Sequence, residues 1–541
     1  MASTWIWRGS YDRLELVAYG RKSVHTSGEW NGQPLHAQPW TNVKAGDAVL
    51  AWSDARAIDS RRFPGAWVLN VKGFAAVRMM DGEKQRVWKR AGLCGGKSIE
   101  SERLYLVSVI HLEPVQMKRI DHMGKSFQEL PIPCAEDGLW KAGRASMEGR
   151  ASVGERRELA ESYEIDNGGF ASSGQVIKDT PAGVGADVGV SARMRGSVTA
   201  GHGIGQWPED PVLRRVARTA VQALYALGLD IGEAEVALGG DGRTAVRAAW
   251  PKLRDTRLEE AMLRRFAAWH AAARAEAAVR RPLLIGADPE FVLVTPAGKV
   301  AAASRFFGEG VGGAAGADAV LIGRRLLYPV AELRPEPAED PAALAANVRR
   351  LLLRAADRIS DPSLRWAAGA MPVPGLALGG HIHISGAPLT SRLLRLLDSF
   401  AAFPLAMVED PAGRARRPRY GILGDFRQQP HGGFEYRTLP SWLISPAAAK
   451  AAFALALLCA REAMSITYIP ALEERYVEAY YAGDRSELTD CLDAVASSIS
   501  ATDSYAALEP YIEPLLEAAR RGATWNEAAD IRSKWRIPFV R

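Results

Sequence analysis

The sequence predicts an α+β protein whose second half builds a sheet, greasy on one face and charged on the other, packed with helices. A separate α/β or α+β N-terminal domain precedes it. Two observations predict the sheet. Asp288-Pro289-Glu290, Glu332-Leu333-Arg334, His381-Ile382-His383 and Glu435-Tyr436-Arg437 each put two ionisable or metal-binding side chains two residues apart, on the same side of a strand. The positions between and around them are apolar: Phe291 to Val294, Val330 and Leu333, Ile382 and Ile384, Phe434 and Tyr436. Unpaired buried charge is costly, so a face that collects this much of it reads as a site rather than as stabilisation.

The first domain, 1–256, holds eight of the fifteen tryptophans before residue 141. Its strand signals are Asp47 to Trp52, Ala66 to Leu69 and Leu104 to Ile110. Residues 165–206 are rich in Gly and Ser and read as loops and short strands. A helix over 211–227, a strand at 233–238, a Gly239-Gly240-Asp241-Gly242 turn and a strand at 243–249 follow. A charged Ala/Arg helix makes 257–282 a helical linker that ends at Arg280-Arg281-Pro282, the main boundary. In the third domain, 283–465, strands alternate with helices. Residues 341–359 line Leu344, Val348, Leu351, Leu352, Ala355 and Ile359 on one stripe, and a second helix spans 390–402. Residues 466–541 read as a C-terminal helical extension.

At 541 residues, two or three domains are expected. An apolar share of 48% and a charged share of 24% are those of a soluble globular chain. The net charge of +6 is mild, and no run of five Lys/Arg occurs, so a nucleic-acid partner is not expected, whereas an anionic ligand such as a nucleotide suits it. Cys94, Cys134, Cys459 and Cys491 are scattered without metal-binding spacing, which fits a reducing, cytoplasmic setting. The apolar run around 447–460 is short for a membrane span and carries Lys450. No membrane partner is expected.

Each charged pair also has a plain structural reading. Asp288 and Glu290 repel unless a proton or cation lies between them, and Mg²⁺ is the usual oxygen-ligated ion where phosphates are handled. Alone, the pair reads equally well as a solvated strand end with Pro289 marking an edge. Glu332 and Arg334 read as a local ion pair of small energetic consequence. His381 and His383 follow Gly379-Gly380, whose missing side chains let backbone or ligand come close. A cupin-like transition-metal site uses the same local pattern. Before Glu435 and Arg437 comes a loop with Arg414, Arg416, Arg417, Arg419 and Arg427. Base rates leave about three of those five solvated, with Arg419 and Arg427 the candidates for anion recognition.

In this order the motifs resemble the glutamine synthetase-like carboxylate–amine ligases. Those enzymes carry Gly-x-Glu-x-Glu-Phe, a further metal Glu, Gly-x-His-x-His, and an Arg-rich loop ending in Glu-x-Arg. Gly286 to Phe291 matches the first, with Asp288 in place of Glu. The runs Gly-Ala-Asp-Pro-Glu-Phe and Glu-Leu-Arg-Pro are those of the phage-type COOH–NH2 ligase family, type 2. The resemblance covers roughly 283–465 and implies a glutamine synthetase-like antiparallel sheet with a catalytic face. It implies Asp288, Glu290, Glu332, His381 and Glu435 as ligands of two or more Mg²⁺ ions, with Mn²⁺ able to serve. It also implies His383, Ser385, Arg427 and Arg437 facing ATP, and Arg334 and Arg419 on a substrate carboxylate. Glu290, Arg427, Glu435 and Arg437 would be the catalytic set. Residues 212–250 resemble the tail of an ATP-grasp domain, with Arg247-Ala248-Ala249 where that family carries a metal pair, so any such domain would be degenerate.

The expected reaction is formation of an amide or peptide-like bond between small-molecule or peptide carboxylate and amine substrates, through an acyl phosphate made from ATP. The Arg/Gly loop 411–433 would serve as a lid. Two other readings stand beside it: a cupin-like or hydrolytic metalloenzyme built on His381 and His383, and a relic that binds without turnover. Ligases of this fold form homo-oligomers in some families; the sequence carries no interface signal of its own.

Overall fold

The computed structural model describes residues 2–9, 13–17, 38–53, 56–95, 102–121, 126–130, 207–278, 282–309, 313–322, 325–417, 419–429 and 432–539. The expected loops over 165–206 fall outside these residues. Three sheets carry the fold. The first orders β1 (Thr4–Trp7), β2 (Arg13–Leu16), β3 (Gln38–Pro39), β4 (Ala48–Ala51) and β5 (Trp67–Leu69) as β3-β2-β1-β4-β5, with β4 parallel to both β1 and β5. The second orders β6 (Cys94–Gly95), β7 (Arg103–Ile110), β8 (Glu113–Ile120), β9 (Ser126–Leu130), β10 (Ile231–Leu238) and β11 (Thr244–Trp250) as β6-β11-β10-β7-β8-β9. All its pairs but β6–β11 are antiparallel.

The third sheet is antiparallel throughout and fits the α+β class. It comprises β12 (Leu284–Val294), β13 (Val300–Ala301), β14 (Ala315–Ile322), β15 (Arg325–Leu333), β16 (Arg365–Ala367), β17 (Gly380–Ser385), β18 (Phe426–Gln428) and β19 (Phe434–Tyr436). The order is β14-β15-β12-β17-β19-β18, with β13 and β16 also paired to β12. Alternation along β12 decides its two faces. Ile285, Ala287, Phe291 and Leu293 join Leu333, Ile382, Ile384, Phe434 and Tyr436 in the main core. The other face carries the charged pairs and then closes on Val292, Val294, Val330, Ala367 and Leu378. Pro289 does not mark an edge: β12 is central. Pro289 has no N–H to donate and sits where pairing with β15 stops, at Glu290–Glu332.

Helices cover the apolar face. Pro341–Arg358 buries Leu344, Val348, Leu351, Leu352 and Ala355 as its stripe predicts, and Asp340 caps it through Ala343 N. The helix expected over 390–402 runs on: Ser391–Leu397 passes through a π-turn, Asp398–Ala402, into Phe403–Val408. The π-turn matters because it carries Asp398, buried at 1% exposure. Pro446–Arg461 is a buried helix, and among the described residues no helix is long and apolar enough to cross a membrane.

The main core does not stop at the Arg280-Arg281-Pro282 boundary. Trp88, Val107, Ala220 and Leu224 belong to the same buried cluster as Phe291 and Leu333. Polar links cross as well. Arg395 reaches Asp230 Oδ1 and Leu229 O, both at 3.2 Å. Arg247, where an ATP-grasp domain would hold a metal, is ion-paired with Glu102. The C-terminal helices are integral too: Trp535 Nε1 donates to Leu443 O at 2.7 Å and Arg532 Nη2 to Leu364 O at 2.7 Å.

Candidate functional site

Register, not sequence proximity, assembles the site. β12 sets Asp288 opposite His381 and Gly286 opposite His383; β15 sets Glu332 opposite Glu290; β19 sets Glu435 opposite His383 and, on its other side, Arg427. The row crosses the polar face from β15 to β18. Ser385 continues the face of the two histidines, opposite Leu284. Gly380 is required by a close approach: a Cβ there would lie 2.4 Å from Pro440 O and 2.7 Å from the Trp442 ring. That ring donates from Nε1 to Gly380 O at 2.9 Å, so the glycine admits backbone and indole.

Two groups of possible metal ligands result. Asp288, His383 and Glu435 offer ligand atoms within 4.8 Å of one another, and so do Glu290, Glu332 and His381. The histidine pair is thereby split: each imidazole joins a different set of carboxylates. A cupin-like centre needs both on one ion, and this arrangement does not favour it.

The electrostatics differ between the two triads. Burial first, and then Asp318 and Glu332, push the Glu290 carboxyl well above the usual range, against a 2.5 Å hydrogen bond from Gly379 N. Burial and then the neighbouring Asp288 carry Glu332 up to about 7, although Arg334 is ion-paired to it. Two facing carboxylates with too little positive charge around them favour a proton or a cation. Glu435 is the opposite case. Its burial is outweighed by His381 at 3.1 Å and by Arg437 Nε at 3.2 Å and Arg427 Nη1 at 3.4 Å, so it is held below the usual carboxylate range. Gln429 Nε2 also donates to it at 3.1 Å.

His383 Nε2 lies 2.8 Å from Asp288 Oδ2 but is not aligned for a hydrogen bond, and it is buried without another partner. Burial works to lower its pKa, yet Asp288, Glu435 and Glu332 raise it on balance. An imidazole nitrogen aimed among carboxylate oxygens suits a divalent cation. The donor sets of both triads therefore fit the expected metal.

Of the five loop arginines, Arg414, Arg419 and Arg427 are exposed, whereas Arg416 and Arg417 are buried. Arg416 donates to Thr438 O at 2.7 Å and Leu439 O at 2.8 Å, and Arg417 is ion-paired with Glu409 and lies 4.4 Å over the Tyr480 ring. The loop's first part is thus pinned rather than free to move as a lid. Arg419 stands with its guanidinium 5.9 Å from the Tyr420 ring centroid. Three residues were missed by the sequence reading. Asp318 shares the β14 face of Gly316, which opposes Glu332; a lone acid in Ala-Gly-Ala-Asp-Ala-Val was its only signal. Asp425 lies 3.7 Å from Arg437. Asp398 accepts from Tyr436 OH at 2.6 Å, Gly424 N at 2.9 Å and Tyr225 OH at 2.7 Å, and thereby fixes β19 and the loop before β18 from below. Nothing local in the sequence marks that convergence.

Comparison with known proteins adds a family. Residues 285–537 match the model described as phage phiEco32-like COOH.NH2 ligase-type 2. All four charged pairs lie inside the match, which bears out the resemblance and continues past residue 465 through the C-terminal helices. No curated protein matches. Among solved structures, a bifunctional glutathione synthetase from Pasteurella multocida aligns at 10% identity and TM-score 0.31, over 49% of this chain and 50% of that one. The chain therefore spans about half the length of that relative. A ligand-free GmaS aligns at 13% identity and TM-score 0.26 over 46% of this chain and 72% of that one. GmaS in complex with ADP aligns at 14% and 0.27 over 46% and 73%. Alignments this distant carry no argument of their own.

Proposed function

We propose that the polar face of the third sheet, within the segment that matches a COOH–NH2 ligase family, joins a carboxylate to an amine at the expense of ATP. The observation that supports it best is the pairing of two carboxylate–imidazole triads with guanidinium groups along one sheet face. Carboxylates and imidazoles need cations; guanidinium groups need anions. A magnesium–nucleotide complex supplies both.

In this reading Asp288, His383 and Glu435 would hold one Mg²⁺ or Mn²⁺ and Glu290, Glu332 and His381 another, so His383 acts as a ligand as well as lying near the nucleotide. Bound there, the ions would screen the triphosphate and polarise the transferred phosphoryl. Arg427 and Arg437 oppose the charge that develops on that phosphoryl as the substrate carboxylate attacks it, giving an acyl phosphate. Arg334, beside Glu332, orients the substrate carboxylate, and Arg419 reaches the same ligand from the loop. Ser385 offers a hydroxyl to the nucleotide. The amine loses a proton to a nearby carboxylate or to solvent. That amine then attacks the acyl carbon and phosphate leaves. The valine-lined end of the face keeps water from the acyl phosphate.

The test is ADP release with Mg²⁺ and pools of amino acids and peptides, comparing the native protein with Glu290→Gln and His381→Ala. Native turnover that both variants lose supports the ligase. Absence of ADP release with every substrate pool, together with one tightly held zinc or iron, would turn the reading toward a metal hydrolase.

A further inference from the structure

The helix Pro211–Ala226 belongs to the N-terminal half, yet one of its faces looks at the site. Tyr225, at its end, donates to Asp398 and packs so closely under Gly424 that a Cβ there would lie 2.2 Å from the ring. Gly424 meets this with a φ of +69°, which glycine adopts without strain. Arg218 precedes Tyr225 by seven residues, two turns and about 10 Å along the same face. Gln428 Nε2 is held by Glu113 Oε1 of the N-terminal half at 3.0 Å. The charged groups facing Arg218 are Arg427, Arg437, Asp425 and Arg214.

Arg218 therefore lies within charge range of Arg427 and Arg437, whose carboxylate partners are Glu435 and Asp425. Arg218 is exposed over its side chain as a whole, while its charged end is partly desolvated by the surrounding protein. Among the described residues no hydrogen bond or ion pair to it is seen. Desolvation, and then the charges of Arg427 and Arg437, lower its pKa from the ordinary value. Mutual repulsion of this kind is relieved by an anion with several charged oxygens, whose forked contacts suit guanidinium geometry.

We propose that Arg218 completes, with Arg427 and Arg437, a polyanion site that takes the phosphate chain of the nucleotide, so that the N-terminal half supplies part of the nucleotide site. This deepens the ligase reading and rests on it for the identity of the nucleotide. The anchor at Tyr225–Asp398 ties the helix that carries Arg218 to Tyr436 of β19, next to Glu435.

The experiment is calorimetric titration of the full chain with ATP, inorganic tripolyphosphate and adenosine, in Mg²⁺, for the native protein, Arg218→Ala, Arg218→Lys and the surface control Arg521→Ala. Thermal unfolding of each variant confirms folding. The expected result is a loss of affinity of about ten- to a hundredfold for both ATP and tripolyphosphate in Arg218→Ala. Arg218→Lys should recover part of it, adenosine binding should be unaltered, and Arg521→Ala should behave as the native chain. Equal ATP affinity in native protein and Arg218→Ala overturns the inference and leaves the ligase intact. Tripolyphosphate binding that depends on Arg218, without ADP release under any substrate set, keeps the anion site and removes the ligase. Failure of the folded native protein to bind either polyanion overturns the inference outright.

Discussion

Two pairs of histidines show how little the residue type decides. His111 and His270 come together in the N-terminal half, 3% and 2% exposed, inside a cluster of Trp67, Phe266 and Trp269. Burial drives both imidazoles down, His111 to about 3 and His270 to about 4, and they stay neutral and pack as aromatic rings. His381 and His383 sit on a strand face among carboxylates. There burial is outweighed, and His383 is raised instead. One pair packs as rings in the core, and the other lines a charged strand face. Neighbouring charge makes the difference.

The comparison breaks most visibly at His383. His383→Ala should reduce ADP release by roughly 10- to 100-fold or more, because groups that only orient a metal ligand already cost about that range. Its unfolding temperature should change little, since removing a polar group from among carboxylates leaves no apolar cavity; a large fall would move His383 to the structural side. His111→Ala is the converse. It removes a ring that lies 4.7 Å from Trp67 and 4.5 Å from Trp269 and accepts from Ser391 N. Chemical denaturation should register a loss on the order of 2–3 kcal/mol, with turnover per folded molecule retained.

The remaining effect is in pH. The folded-state values of His111 and His270 lie below the unfolded value of 6.5. The unfolded chain therefore takes up protons first as the solution is acidified. Their contribution is fully present above pH 6.5 and is lost progressively as pH falls toward 4. His270→Phe should flatten the fall in unfolding temperature between pH 6.5 and 4 by a few degrees, an effect of about 3 kcal/mol at most. An unchanged slope would mean that His270 is not desolvated in solution.

Much of this was legible in the sequence, and for local reasons. A strand turns alternate residues to opposite sides, so Asp288 and Glu290, His381 and His383, and Glu435 and Arg437 could be assigned to shared faces without a structure. The helix expected over 341–359 followed from its apolar stripe, and it forms over Pro341–Arg358. The loop arginines were not separable in this way. Arg416 and Arg417 look like their exposed neighbours in sequence, and only the carbonyls of Thr438, Leu439 and Tyr480 distinguish them. Asp318, Asp398 and Arg218 carried no motif, because each owes its place to elements distant in the chain.

The sequence by itself determined which side chains share a strand face and that those faces are too charged to be core. The tertiary structure decided how the faces line up. Register sets Glu290 against Glu332 and His383 against Glu435, dividing the histidines between two triads. That register is fixed from the opposite side, by Phe291, Leu333, Ile382, Phe434 and Tyr436 packing into one core and by Asp398 tying Tyr436 to Tyr225. A slip of one residue would turn every charge into that core. Alternation belongs to a single strand, whereas register belongs to the packing of strands tens of residues apart.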